Sequence, residues 1–159
     1  MKLTIPMEIE KQITEIVFST WKETGVALFG EKSEDNFTVR GIAGPGPGAT
    51  HEEFHYQGNE DYATMIFEDL KKGNPNLRHI GELHVHPFRM KCLSIGDLES
   101  VRSLLNEHEY EEYIAGVMLR GWRISFYPVY FSKEKPNGEP MEVETSCGDR
   151  SRFRWQCRR

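Results

Sequence analysis

The stretch His84-Val85-His86-Pro87, followed after six intervening residues by Ser94 and then Asp97, constrains the fold more than anything else in the chain. Two histidines at i and i+2 on a strand project from the same face, because side chains alternate across the pleat. Arg78 to Glu82 and Leu83 supply the strand ahead of them, and Pro87 stops it, having no N–H for a ladder. Ser94-Ile95-Gly96-Asp97 opens a helix predicted over Ser94 to about Glu107, with Asp97 in its first turn. There Asp97 is able to face back toward the two imidazoles. Two neutral imidazoles and one carboxylate suit a divalent ion such as zinc. A three-ligand set leaves a fourth position for water, as in catalytic sites, whereas structural sites are closed by four protein ligands. Each half also has a plain structural account: HxH at a strand end is common, and Ser-x-x-Asp before an apolar run is a helix-start capping pattern.

At 159 residues the chain has room for one domain with a real core and not for two comfortable ones. Residues 1–148 are expected to form a single domain, with 149–159 as a basic tail. That tail holds five arginines (Arg150, Arg152, Arg154, Arg158 and Arg159) against Asp149, a net +4 within a total of −5, so residues 1–148 carry −9. An acidic body gives no reason to expect nucleic acid as a partner. No apolar run reaches membrane-spanning length, and Met1-Lys2-Leu3-Thr4-Ile5-Pro6 has no signal-peptide core. Three cysteines without a secretory signal fit reduced thiols and a cytoplasmic location, with a Cys147–Cys157 pairing left open.

Taken in order, Pro6 to about Lys22 reads as a helix with Ile9, Ile13, Ile16 and Val17 at helical spacing. Thr24 to Gly30 is a short apolar run and reads as a buried strand, which puts Glu23 at the junction. Phe37 to Ala43 alternates as a second strand, and Gly44-Pro45-Gly46-Pro47-Gly48 breaks it into a loop. Asn59 to about Gly73 is a second helix with Tyr62, Met65, Ile66, Phe67 and Leu70 on one broad face. Arg78 to His86 is the ligand strand. The helix from Ser94 turns Leu98, Val101, Leu104 and Leu105 inward. Tyr113 to Leu119 and Trp122 to Phe131 read as antiparallel strands, Lys133 to Pro140 as a mobile loop, and Met141 to Thr145 as a last strand. The order α-β-β-α-β-α-β-β predicts an α/β fold, a mixed β-sheet with helices on both faces.

One segment is a decoy. His51-Glu52-Glu53-Phe54-His55 spells HExxH, a zinc motif that works only on a helix, where i and i+4 share a face. Between Gly48 and Gly58 there is room for at most nine helical residues, a marginal length, and no further ligand set follows nearby. The segment is read as an edge strand or loop.

His84-x-His86-Pro87, six residues, Ser94, two residues, Asp97 resembles the signature of the JAMM/MPN+ (JAB family) zinc metalloproteases of the compact prokaryotic type. That family's upstream element, a glutamate leading into a Gly-containing apolar strand, has its counterpart in Glu23-Thr24-Gly25-Val26-Ala27-Leu28-Phe29-Gly30. The resemblance spans roughly Glu8 to Phe131. It implies a JAB/MPN domain, similar to the cytidine deaminase fold, though the H-x-E and P-C-x-x-C zinc pattern of the deaminases is absent. It also implies Zn2+ held by His84, His86 and Asp97.

Hydrolysis at such a centre needs a carboxylate to take a proton from water and pass it to the leaving nitrogen. Glu82, two residues before His84, and Glu23 both qualify by position. The resemblance assigns the role to Glu23, leaving Glu82 as a partner of the ligands or a plain strand residue. It also makes Ser94 the oxyanion stabiliser. The implied activity is cleavage of an isopeptide or peptide bond after the C-terminus of a ubiquitin-like protein. Trimming of a sulfur-carrier precursor to expose Gly-Gly, and a non-catalytic MPN scaffold, are the alternatives. The implied partners are the ubiquitin-like or sulfur-carrier substrate and the activating and conjugating enzymes of its pathway. Two positions depart from the family pattern: Val85 stands where Ser or Thr is usual, and Leu83 where an aromatic residue is common. Val85 is expected to point away from the metal and to leave ligation intact.

Overall fold

The structure, a computed structural model, describes residues 1–52, 56–86, 90–107 and 110–145. The chain runs β1 (Lys2–Ile5), α1 (Met7–Phe18), β2 (Gly25–Ser33), β3 (Asn36–Ala43), β4 (Thr50–His51), β5 (Tyr56–Gln57), α2 (Glu60–Gly73) and β6 (Arg78–Val85). It continues through α3 (Ile95–Asn106), β7 (Glu112–Leu119), β8 (Ser125–Ser132), β9 (Glu139–Pro140) and β10 (Glu142–Thr145). Eight strands form one mixed sheet in the order β10-β1-β3-β2-β6-β7-β8-β9, and β4 pairs with β5 in a separate small hairpin. The mixed α/β architecture predicted from the element order is present. The predicted basic tail, with Cys147 and Cys157, lies outside the described residues.

Alternation sorts the sheet into two faces. Val26, Leu28, Ile80, Leu83, Val85, Ile114 and Met118 turn to one side and bury Ile9, Ile13 and Val17 of α1. On the other side Phe29 and Ala43 pack on Ile66 and Phe67 of α2, while Tyr113, Ala115, Val129 and Phe131 pack on Val101 and Leu105 of α3. The second face therefore carries two helices, over the β2–β3 side and the β7–β8 side. β6 runs between them.

Several boundaries differ from the sequence reading, and the strands β1 and β9 were not anticipated. β1 pairs in parallel with β3 and with β10, burying Leu3 and Ile5. Four residues carry too little periodicity to announce a strand whose partners are remote. α1 ends at Phe18, short of the predicted Lys22, because the Ser19 hydroxyl and N–H both turn back to the Ile16 carbonyl. The stretch predicted as a mobile loop, 133–140, turns through bonds among Ser132, Lys135 and Gly138 and ends in β9, paired with β8. On α2 Met65 is exposed, although the helical spacing had put it on the packing face. The expectation of three reduced thiols also fails, since Cys92 is disulfide-bonded.

A bulge in β6 decides which way the histidines face. The pairing with β2 steps from Leu28↔Gly81 to Phe29↔His79, so Ile80 is extra on the β6 side. His79 faces the α2–α3 side, in edge contact with Tyr110 and Tyr113. Ile80 and Leu83, three residues apart, both face α1, which uninterrupted alternation forbids. The bulge thus moves Glu82, His84 and His86 onto the side shared by α2 and α3. Gly81 sits at φ 152° with the Ile114 carbonyl pressed against it; a Cβ there would lie 1.9 Å from that oxygen. The His79 ring locks the kink: Nε2 donates to the Gly81 carbonyl at 3.0 Å, leaving Nδ1 to accept from Tyr110 Oη at 2.6 Å. Burial pushes the His79 pKa down, consistent with a neutral ring in those roles.

Candidate metal centre

Three chain segments meet at one edge of the sheet: the C-terminal end of β6, the start of β2, and the N-terminus of α3. β6, α3 and β7 form a parallel crossover unit, and the carboxyl end of such a strand is where α/β sheets hold ligands. β2 is antiparallel to β6, so its beginning lies at the same edge, with Gly25 opposite His84. The Val85 N–H donates to the Thr24 carbonyl at 2.7 Å, which carries the pairing one residue further. Residues opposite one another share a face, so Glu23 is on the same side as the histidines. Gly25 is required by this crowding: a Cβ would stand 2.6 Å from the Tyr56 ring, 2.9 Å from the Leu83 carbonyl and 3.0 Å from His84 Cβ.

His84, His86 and Asp97 offer donor atoms that all lie within 4.8 Å of one another. Asp97 Oδ1 is 3.4 Å from His84 Nε2, and Oδ2 is 3.2 Å from His86 Nε2. The two Nε2 atoms are 2.7 Å apart, so both ring nitrogens point at one spot beside the carboxylate. Zinc–ligand bonds of about 2.0–2.1 Å at tetrahedral angles put donors roughly 3.3 Å apart, close to both Asp97 distances. The rings are buried, at 8% and 7% exposure, whereas Asp97 is partly exposed. The donor types, their convergence and the half-open carboxylate fit a divalent cation with an accessible position.

The capping account of Ser94 and Asp97 is also true. Ser94 Oγ accepts the Asp97 N–H at 3.2 Å, and Asp97 Oδ2 accepts the Ser94 N–H at 2.6 Å, a reciprocal capping box. The box fixes the carboxylate's orientation, and that orientation aims it at the imidazoles. Burial alone would raise the Asp97 pKa, but hydrogen bonds from His84 and His86, the His84 charge and the Ser94 N–H hold it well below the usual carboxylate range. Burial would lower His84, yet Asp97, with further help from Glu82 and Glu23, raises it. The buried His86 Nδ1 has no hydrogen-bond partner among the described residues.

Glu23 is buried, at 9% exposure, and its charge is felt at His84. Glu82 shares the histidines' strand face and is exposed by area, but surrounding protein strips enough water to raise its carboxyl, with Asp97 adding to the effect against His84. Leu83 and Val85, the two departures from the family pattern, are buried in the opposite face against the α1 side, so neither touches the donor set. In the HExxH segment, read as an edge strand or loop, His51 lies in the strand β4, and residues 53–55 lie outside the described residues.

Sequence reasoning missed the residues that hold the Glu23 segment. Arg120 donates to the carbonyls of Val17, Thr20, Trp21 and Lys22, at 2.7 to 3.2 Å, fastening the α1–β2 connection that leads into Glu23. His51 Nδ1 lies 2.9 Å from the Glu23 carbonyl, and Tyr56 Oη donates to the Gly25 carbonyl at 3.2 Å. All of these are long-range side-chain-to-backbone contacts, and no local spacing encodes them.

Compared with protein-family models the chain matches none, and no curated protein matches it by sequence. Among solved structures, the solution structure of protein DSY2949 from Desulfitobacterium hafniense superposes with a TM-score of 0.68. The match covers 91% of this chain and 92% of that one at 12% identity, and so carries the fold alone. No helix among the described residues is long and apolar enough to cross a membrane.

Proposed function

We propose that the chain is a JAMM-type zinc-dependent hydrolase on a JAB/MPN domain, cutting an isopeptide or peptide bond after the C-terminus of a ubiquitin-like protein. The observation that carries the reaction class is the convergence of His84, His86 and Asp97 at one sheet edge, with buried Glu23 on the same face. The substrate class rests on the motif resemblance alone. A zinc ion held by the three side chains would supply Lewis acidity, polarising the scissile carbonyl and acidifying a water.

The chain's own residues then have separable tasks. Glu23 accepts a proton from the attacking water and delivers it to the leaving nitrogen. Ser94 Oγ already accepts the Asp97 N–H, which leaves its O–H to donate to the developing oxyanion. Asp97 keeps its charge because the imidazoles and the Ser94 N–H favour the ionised form. The backbone pairing of Gly25 with His84, extended by the Val85 N–H to the Thr24 carbonyl, keeps Glu23 and the ligands in register.

The test is zinc content of protein purified without chelator, beside single-turnover cleavage of a ubiquitin-like fusion by wild type, Glu23→Gln and Glu82→Gln. Wild type should hold one zinc and cut. Glu23→Gln should keep zinc and lose about 100- to 10,000-fold in rate, while Glu82→Gln loses much less. A zinc-free wild type, or a Glu23→Gln enzyme that cuts normally, refutes the assignment.

A further inference from the structure

The hairpin β4–β5 is small, yet it is tied down at both ends. At its base Asn59 donates its N–H to the Pro45 carbonyl at 2.8 Å and its side-chain amide to the Pro47 carbonyl at 2.7 Å. The same Asn59 side chain accepts the Tyr62 N–H at 2.9 Å and so caps α2. Toward the metal centre the hairpin grips two residues at the start of β2, Glu23 and Gly25. His51 meets the Glu23 carbonyl, the Glu52 carbonyl accepts the Glu23 N–H at 3.4 Å, and Tyr56 bonds the Gly25 carbonyl. The His51 and Tyr56 rings are themselves 5.7 Å apart.

A carbonyl oxygen only accepts, so His51 Nδ1 carries the hydrogen and the neutral ring is in its Nδ1–H tautomer. Burial, with the Glu82 charge behind it, pushes the Tyr56 hydroxyl up to about 12, so it remains a donor through the working pH range. Both polar groups of the Glu23 peptide are thus bonded to one hairpin, and that hairpin is anchored to α2.

We propose that the β4–β5 hairpin is a latch that fixes the backbone of Glu23, with His51 as its positioning residue. The catalytic consequence rests on Glu23 being the general base; the latch itself does not. β2 proper starts at Gly25, so Glu23 lies just beyond the strand it leads into. A shift of its peptide would carry its carboxylate along, so what grips the peptide bears on where the carboxylate sits. Displacing a reacting group by about 1 Å costs on the order of 100-fold in rate. His51 is therefore half of the sequence decoy put to another use: it binds backbone, not metal.

The test compares His51→Ala, His51→Asn and Tyr56→Phe with wild type. The Asn amide reaches the position of Nδ1 and restores the donor. Amide hydrogen exchange at Glu23 is the activity-independent readout. Losing one such bond should speed it about fivefold in His51→Ala, with His51→Asn close to wild type. Tyr56→Phe should loosen Gly25 and leave the His51 tautomer, read by nitrogen NMR, unchanged. In turnover, His51→Ala should lower kcat with KM and zinc content unaltered, and His51→Asn should recover it.

Unchanged exchange at Glu23 in His51→Ala, or failure of His51→Asn to restore it, overturns the latch. A protein that binds no zinc and cuts nothing, but shows the exchange pattern, retains the latch and loses the hydrolase reading.

Discussion

Replacing Gly81 by alanine tests whether the β6 bulge governs the metal centre. Two costs add at this position. A non-glycine residue in a sparsely populated backbone region pays about 1–3 kcal/mol. The new Cβ would also stand 1.9 Å from the Ile114 carbonyl oxygen. Ordinary contact begins at 3.4 Å, so β6 and β7 would have to part by well over an ångström. Forcing a side chain into a packed interior typically costs a further 1–3 kcal/mol. The expected total is about 2–6 kcal/mol, a large share of the 5–15 kcal/mol available to a folded domain. Gly48→Ala is the control. Its φ of 72° carries strain, but nothing lies within 4 Å of the added Cβ, so about 1–2 kcal/mol is expected.

Urea unfolding of the metal-free proteins measures both, followed by zinc titration of whatever remains folded at low urea. Gly81→Ala should be the less stable by at least about 1 kcal/mol and should bind zinc more weakly, because relief of the clash disturbs the kink that aims His84 and His86. Equal stabilities, or a destabilised Gly81→Ala protein with wild-type zinc affinity, would refute the link between bulge and donor set.

Asp97 has two jobs that different substitutions separate. Asp97→Asn keeps an oxygen for the Ser94 N–H and so the helix cap, but gives up the charge facing the imidazoles and should lose zinc affinity; Asp97→Ala should lose a further 0.5–2 kcal/mol or so from the uncapped helix, read by thermal unfolding without metal. His79 should make the fold acid-sensitive. Its folded pKa is lowered, so the unfolded chain takes up the proton first as pH falls through about 6.5, and stability drops by up to about 1.4 kcal/mol per pH unit until the folded ring protonates. His79→Gln should flatten the slope of unfolding free energy against pH in that window; an unchanged slope assigns the acid sensitivity elsewhere.

The donor set was legible because it is local. Strand alternation puts His84 and His86 together, and only six residues separate Pro87 from Ser94, too few to carry Asp97 far. The helices announced themselves by apolar spacing, as did β2, β3, β7 and β8. The bulge was not read, although Gly81 inside a strand pattern is the sort of signal that marks one. Alternation counted back from His84 would have put Ile80 on the metal's side and left His79 opposite. β1 was missed because both its neighbours are remote in sequence. The contacts that hold Glu23 were invisible for a related reason: Arg120 and His51 recognise backbone carbonyls, which look alike whatever the residue.

The pairing of β1 with β10 sets the order in which a growing chain completes its sheet. Thr4 and Glu144, hydrogen-bonded across that pair, are separated by 140 residues. A ribosome adding about 5–20 residues per second needs on the order of ten seconds to span them. Through that interval β1 offers an open strand edge, the usual template for unwanted association. Two features blunt it: it has only four residues, and Lys2 stands on it, later to pair with Glu144. β2, β6 and β7, which frame the metal centre, are complete before β10 emerges. The nascent protein can therefore assemble its chemistry first and seal its flank last.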